Sequence, residues 1–575
     1  MKLTLRDMFY TSVGKYADRP ALSFVSDDKP MTYQEMHDKV QQVKYFLIKK
    51  LGLKKGDKVA LWAENMPNWG VTYMAITGSA LIAVPILPDF SPFEVSNILE
   101  HSEVDIVFVS KRLLPKLKEV KAKISTVVLI DDFVEIKDKT LFSREKEVPI
   151  LDEHMSPAEE YPLDEDDLAV IIYTSGTTGK SKGVMLTHKN ITSNTVDIKA
   201  VQEVEPNDVF LSILPLSHTY ENTVGFLLPI HKGASIVYLE KPPTASVLLP
   251  ALRKVRPTFM LSVPLIIEKI YRKNVLPSIT GKGITNSIYK TGLGRKALNR
   301  IAGKKLKDIF GGKLKFFGVG GAKLDPEVEK FLREAKFPYA VGYGLTETSP
   351  LLAGGNPRNI RFQSCGLPMP GVDVKINNPD PKTGEGEIIA KGTYIMKGYY
   401  KEPELTKAAF TEDGYYRTGD LGVFDKDGFL YIKGRLKNMI LGPSGENIYP
   451  EEIEAIINSF DHVNESIVVE REGRLVALVN FDFEELEKKA EEWVRVQYQK
   501  ASDLAKDTGD NLKDKYDAVN LYVNHLTKQL RDYVNQRVNK SARIQAVEVH
   551  KEPFVKTATK KIKRYLYTKQ HNEQK

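Results

Sequence analysis

The chain has 575 residues, of which 42% are hydrophobic and 27% charged, with a formal net charge of +8. At roughly 100–200 residues per domain this length holds three to five structural units, which excludes a small binding module, and the ordinary globular composition excludes disorder and a polytopic membrane protein. A single cysteine, Cys365, rules out an intramolecular disulfide framework or a Cys-rich metal cluster, and reads as a packing residue in a reducing compartment.

The opening stretch, MKLTLRDMFYTSVGKYADRP, carries charges every few residues and no continuous apolar core. It reads as neither a signal nor a transit peptide, and a cytoplasmic chain is expected. YQEMHDKVQQVKYFLIKKL, from Tyr33 to Leu51, has helical character. The uncharged run VTYMAITGSALIAVPIL follows Pro67 and Gly70 and is interrupted by Gly78, Ser79 and Pro85, which predicts a buried helix feeding a buried strand rather than a membrane span. Short β-rich runs (VALWAENM, DIVFVSK, TVVLID, LAVIIYTSG, SIVYLE, LKFFGVGG, YAVGYG) then alternate with helical stretches to about residue 430, the pattern of a largely parallel, covered sheet. Turn-punctuated strands over 360–434, with Asp-Gly turns, predict a small antiparallel subdomain. A boundary near Gly434 divides the chain into 1–434 and 435–575. Within the second part, 484–540 carries Leu526, Leu530, Tyr533, Val534 and Val538 at helical spacing, so one or two amphipathic helices are expected, with that stripe packed into a core. The predicted class is α/β: a large N-terminal domain of covered mixed or parallel sheets with an antiparallel subdomain, a hinge, and a smaller mobile α+β domain.

The charge is unevenly placed. Residues 528–575 hold thirteen Lys or Arg against four acids, a net of +9, and everything before them sums to −1. Such a tail is either a solvated surface or a field for a polyanion: a nucleotide, coenzyme A or an anionic lipid surface. The excess is too small to suggest nucleic acid.

The most informative segment is Tyr173-Thr-Ser-Gly-Thr-Thr-Gly-Lys-Ser-Lys-Gly-Val184, placed directly after the buried strand LAVII. Glycines turn backbone N–H groups toward a ligand, hydroxyls donate and lysines add charge, which suits a triphosphate. A P-loop would need glycine at Thr174, and the dinucleotide fingerprint fails at Lys323 in Gly318-Val-Gly-Gly-Ala-Lys. None of the ten histidines forms an HxxxH pair and no Gly-x-Ser-x-Gly elbow occurs, so a zinc hydrolase and the commonest serine esterase are excluded.

The twelve-residue segment resembles the phosphate loop of the adenylate-forming enzymes, which include acyl- and aryl-CoA synthetases, adenylation domains and luciferases. Gly342-Tyr-Gly-Leu-Thr-Glu-Thr348 is similar to that family's adenine and magnesium motif, Tyr416-Arg-Thr-Gly-Asp-Leu421 to its ribose motif and Gly434-Arg-Leu-Lys437 to its hinge. Leu214-Pro-Leu-Ser-His-Thr-Tyr-Glu221 and Arg256-Pro-Thr-Phe-Met-Leu-Ser-Val-Pro264 resemble the long-chain fatty-acid branch. The resemblance implies ATP, Mg²⁺ and coenzyme A as reactants or cofactors, and a fatty acid as substrate. Thr174, Ser175, Gly176, Thr177, Thr178 and Lys182 would cradle phosphates; Gly320, Gly321, Ala322, Gly342, Tyr343 and Gly344 would line the nucleotide site, with Tyr343 stacked on adenine. Thr346 would meet phosphate, Glu347 the metal, and Asp420 and Arg435 the ribose. Lys437 would be the hinge, with the loop containing Gly445 serving thioester formation. His218 stands where the family places an aromatic wall residue of the acyl site, and is carried as a candidate catalytic acid or base with a structural role as its alternative.

The C-terminal lysine motif departs from the broad pattern. Val555-Lys-Thr-Ala-Thr-Lys-Lys-Ile-Lys-Arg564 has Lys560 where glycine is usual, and alignment on Thr557, Thr559 and Arg564 makes Lys561 the adenylation lysine. Two other readings are a fatty acyl-AMP ligase serving a carrier protein and a nucleotide-binding regulator with a dead site; intact Lys561, Glu347 and Asp420 argue against the latter. Chain-length preference depends on packing around 213–230 and 258–345. No sequence feature speaks to oligomeric state, a homodimer included, and no membrane anchor is visible, although peripheral contact fits a lipid substrate.

Overall fold

The computed structural model describes residues 3–138, 143–152, 160–175, 181–280, 283–442, 447–487, 489–490, 493, 515–557 and 562–568. The chain divides into two compact units, one of Met1–Thr418 with Val423–Tyr431 and one of Gly419–Gly422 with Ile432–Lys575.

The first unit is built on two nine-stranded mixed sheets. In one, Pro20–Phe24, Ser235–Tyr238, Val209–Ser212, Phe259–Ser262, Phe316–Val319 and Tyr339–Gly344 lie parallel, with antiparallel strands at the margins. In the other, Leu168–Ser175, Ile82–Ile86, Lys58–Trp62, Ile106–Val109 and Thr126–Leu129 form the parallel centre. These strands read as apolar runs because both faces of a parallel sheet are covered. All five residues of Ile82–Ile86 are buried, as are four of the five in Lys58–Trp62.

The uncharged run after Pro67 is the helix Pro67–Gly78, started by proline at its first turn and buried at every position but Asn68. It packs on strands of both sheets, Lys58–Trp62 and Ile82–Ile86 on one side and Pro20–Phe24 on the other, which accounts for its lack of a polar face. Trp69 and Tyr73 stack within it, ring centroids 5.2 Å apart. Among the described residues no helix is long and apolar enough to cross a membrane. Cys365 is partly buried against the core beneath the first sheet, its N–H donating to Leu430 O at 2.8 Å. Val372–Asn377 and Gly386–Gly392 then pair antiparallel.

The second unit has a sheet of Val463–Arg471 antiparallel to Arg474–Phe481, with Ala546–Val549 added in parallel. Helices Pro450–Ile457 and Lys515–Asn535 supply its core with Ile453, Ile457, Leu526, Leu530 and Val534. Leu530 and Val534 are fully buried, and Tyr533 and Val538 pack at the margin of the same core.

Candidate functional site

The loop motif is carried by a hairpin. Leu168–Ser175 leaves the buried centre of its sheet and Ser181–Thr187 returns antiparallel, with Ser175 opposite Ser181, Thr174 opposite Lys182 and Tyr173 opposite Gly183. Thr174 and Ser175 thus stand at the hairpin mouth beside Lys182; Gly176, Thr177 and Thr178 lie outside the described residues. Close packing requires glycine at 183, where an added Cβ would lie 2.9 Å from Ile171 Cγ2 and 3.2 Å from Tyr173 Cζ. Tyr173 is braced by His101, whose Nδ1 is 2.8 Å from the phenol oxygen.

The short strand Gly398–Tyr399 pairs with the returning arm, Tyr399 opposite Val184. This register sets Tyr399 between two residues of opposite charge. Lys182 Nζ lies 5.1 Å from the centre of its ring, and its hydroxyl donates to Glu347 Oε1 at 3.0 Å. Glu347 is fixed by its backbone as well, its carbonyl accepting from Met396 N–H at 2.9 Å.

Glu347 owes its position to a tight turn. The helical turn Thr346–Thr348 joins Tyr339–Gly344 to the antiparallel return Leu351–Gly354. Leu345 N–H donates to Pro350 O at 3.1 Å and to Thr348 Oγ1 at 2.9 Å, and Ser349 adopts the left-handed region at φ +65°. Gly344 sits where the two strands meet, and a Cβ there would lie 1.7 Å from Pro350 O. Gly342 pairs with Gly354, and Tyr343 and Thr346 are half-buried beside the turn.

Tyr416 closes this corner from the start of its strand. It is buried and hydrogen-bonded to Tyr399; burial first, then the Glu347 charge, pushes its phenol well above the ordinary value, so it remains a proton donor. Tyr343 adds to the same field. Lys182, Glu347, Tyr399, Tyr416 and Tyr343 therefore converge from four separate stretches of chain. Tyr399 and Tyr416 are additions to the sequence-derived set. Tyr416 opens a motif read for its aspartate, while Tyr399 lies in an unremarkable Gly-Tyr-Tyr-Lys and carries no sequence signal.

A second glycine-paved edge ends Phe316–Val319. Gly320 N–H donates to Ser262 O at 3.1 Å, Gly321 takes φ +84°, and Ala322 is exposed. Tyr220 lies across this edge, its hydroxyl 2.7 Å from where a Gly318 Cβ would stand and its ring 3.2 Å from one at Gly320. His218 closes its own turn: its Nδ1 accepts from Tyr220 N–H at 3.2 Å and its carbonyl from Asn222 N–H at 2.9 Å. The next acid, Glu221, is buried, its Oε1 accepting from Ser212 Oγ at 2.6 Å while Oε2 has no partner among the described residues. Burial pushes its carboxyl up to about 8.

In the second unit, Asp420 is buried and its Oδ1 lies 2.8 Å from Arg435 Nε. Lys437 is exposed in the turn Leu436–Asn438, which Asn438 ties to Glu451 at 2.6 Å. Gly445 and Lys561 lie outside the described residues. The chain on either side of 558–561 is pinned: Lys556 bridges Ile562, and Arg564 grips Glu454 at 2.5 and 2.6 Å and Val468 O at 2.8 Å.

Hydroxyls, a lysine and one hard carboxylate held around a hairpin mouth make up the equipment of a phosphate-handling α/β enzyme. The chain belongs to the AMP-binding enzyme family, whose profile its residues 9–400 match. It is 31% identical over 503 residues to long chain acyl-CoA synthetase 1 of Arabidopsis thaliana, covering 79% of this chain and 75% of that protein. It is 30% identical over 501 residues to the long-chain-fatty-acid–CoA ligase of Escherichia coli O6:H1, covering 81% and 82%. Among solved structures, the O-succinylbenzoate coenzyme A synthetase of Bacillus subtilis in complex with AMP has a TM-score of 0.73 at 21% identity, covering 98% of both chains. ATP-bound MatB from Rhodopseudomonas palustris has a TM-score of 0.71 at 22% identity, also covering 98% of both. These structural matches establish the two-part α/β fold.

Proposed function

We propose that the protein is an AMP-forming fatty-acid–CoA ligase acting on long-chain acids. The observation that carries this reading is the Lys182–Tyr399–Glu347 line at the mouth of the Thr/Ser hairpin. The likeness to long-chain acyl-CoA synthetases supports the choice of substrate, and the ligands named for the solved relatives support ATP and AMP as nucleotides.

A fatty carboxylate attacks the α-phosphorus of ATP, pyrophosphate leaves, and coenzyme A thiolate then displaces AMP from the acyl carbonyl. The acid is already ionised at neutral pH, so the first step needs orientation and charge stabilisation rather than a general base. Thr174, Ser175 and Lys182, with Gly176, Thr177 and Thr178, hold the outer phosphates. Tyr343 stacks on adenine within the Gly342–Gly344 strand end, Gly320, Gly321 and Ala322 line the nucleotide, and Asp420 with Arg435 hold the ribose. Among the described residues no three His, Cys, Asp or Glu side chains gather as a metal cage. Glu347 would be the carboxylate that holds Mg²⁺, with Thr346 beside it, and the ion would supply neutralisation of the phosphate charge. Lys561 supplies the cation shared by the carboxylate and the α-phosphate, Lys437 is the hinge, and Gly445 belongs to the loop of the thioester step. His218 shapes the acyl wall.

The test is pyrophosphate release across C2 to C18 acids with and without coenzyme A. Release with long acids, and acyl-CoA formed from free coenzyme A, is expected; nucleotide binding without release would sink the reading, and acyl-adenylate that passes only to a carrier protein would redirect it. Lys561→Ala should abolish adenylate formation yet spare thioester formation from supplied acyl-adenylate.

A further inference from the structure

The sum of −1 before residue 528 conceals a second basic concentration. Residues 264–309 carry eleven Lys or Arg against Glu268 and Asp308, a net of +9. They form the excursion between strands Phe259–Ser262 and Phe316–Val319, and it is built of helices: Pro264–Ile270, Tyr271–Val275, Leu276–Thr280, Gly283–Tyr289 and the longest, Gly292–Ile309.

The longest helix has two distinct faces. Asn299, Ala302, Gly303 and Leu306 are buried, and the approach to its neighbour is so close that a Cβ on Gly303 would lie 2.7 Å from Ala335 Cβ. The opposite face, at steps of three and four, turns Leu293, Lys296, Arg300, Ile301, Lys304 and Lys305 to solvent, with one acid, Asp308, on the same face at its C-terminal end. Leu293 is 85% exposed and Ile301 58%. Ile288, 43% exposed on the preceding helix, joins them, since its Cγ2 lies 2.6 Å from where a Gly294 Cβ would stand. Two other arginines of the excursion are engaged inward, Arg295 with Glu334 and Arg272 with Asp325, each at 3.0 Å. Lys296, Arg300, Lys304 and Lys305 form no ion pair among the described residues.

Cations alone would suit any polyanion. Nucleic acid gains little from leucine and isoleucine set singly among the cations, and a protein interface gathers its apolar residues into a core with charge at the rim, whereas at a bilayer the apolar tips enter the acyl boundary while the cations meet lipid phosphates on their long stems. We propose that the outward face of Gly292–Ile309, together with Ile288, docks on the surface of an anionic lipid bilayer. This concerns binding and stands apart from the reading of the catalytic site.

The test is cosedimentation of the full chain with phosphatidylcholine vesicles and with vesicles also containing phosphatidylglycerol. Binding to the anionic vesicles alone, weakening with salt, is expected. K296Q/R300Q/K304Q/K305Q and, separately, L293S/I301S should each weaken it by more than about tenfold. Unchanged helix content and thermal midpoint would show that these variants are folded, and K528Q/K540Q/R543Q, which thins the C-terminal charge, should bind as well as the parent. The proposal is overturned by absent binding, by equal binding to neutral vesicles, or by helix variants that bind like the parent. It is likewise overturned if duplex DNA displaces the vesicles while L293S/I301S retains affinity, or if that pair dissolves a dimer of this chain.

Discussion

Two carboxylates illustrate how differently burial and partners act. Glu347 is half-buried with a phenol donor at 3.0 Å, within reach of the Lys182 side of the same ring. Glu347→Gln keeps the shape and removes the charge, so adenylate formation should fall by about 10²–10³-fold, as when a positioned electrostatic group is lost. Tyr399→Phe removes the hydroxyl that bonds both Glu347 and Tyr416 and should cost about 2 kcal/mol, a roughly thirtyfold drop in kcat/KM for ATP. Glu221, by contrast, has a single hydroxyl partner among the described residues and a carboxyl pushed up by burial from 4.5 to about 8. Unfolding frees it to ionise at the lower value, so the folded state holds the extra proton between the two. Stability relative to Glu221→Gln should therefore decline as pH rises from 4.5 to 8, by at most about 1.4 kcal/mol per pH unit, and level off above. Urea titrations of both proteins across that window decide it; parallel curves would show that Glu221 is ionised or solvated in the folded chain.

At the scale of elements, the turn carrying Glu347 and the segment flanking Lys561 are both held by contacts that tolerate little change. Gly344→Ala drives a methyl group into Pro350 O, and the strands cannot part without moving Glu347. A loss of about 1–3 kcal/mol in stability is expected, together with a raised KM for ATP. Arg564 is the anchor of the C-terminal segment, with its guanidinium bidentate on Glu454 and bonded to Val468 O. Burial holds the Glu454 carboxyl above its usual value even against that arginine. Arg564→Ala leaves this acid unpaired in the core of the second unit and should cost about 3–5 kcal/mol, read as a lowered unfolding midpoint of that unit. Arg564→Lys would restore charge but not the fork and should recover only part of the loss.

Over the whole molecule, charge is concentrated in two basic regions of +9 each, one in a helical excursion of the first unit and one at the end of the second, set against an acidic remainder. Such fields speed the approach of anionic substrates and are screened by salt. The KM values for ATP or coenzyme A should rise with ionic strength while kcat changes little, and salt-independent constants would remove the C-terminal field from substrate capture. The two basic regions also separate experimentally, because vesicle binding should follow the excursion and substrate KM the C-terminal region.

Patterns of near neighbours along the chain carried much of this architecture. Apolar runs of strand length between helical stretches, the proline- and glycine-broken run after Pro67, and the Leu526–Leu530–Val534 stripe all express burial through local periodicity, and each is buried as that periodicity requires. The Thr/Ser/Gly loop and the Gly-Tyr-Gly-Leu-Thr-Glu turn were legible for the same reason, since their chemistry is contiguous. Tertiary structure alone decided what meets across distance. It set Tyr399 between Lys182 and Glu347, brought Tyr416 to the same corner, left one oxygen of Glu221 buried without a partner among the described residues, and turned one face of Gly292–Ile309 outward. No local pattern specifies these, because they follow from strand register and from which helix face a neighbour covers, and both are settled only when the whole chain packs.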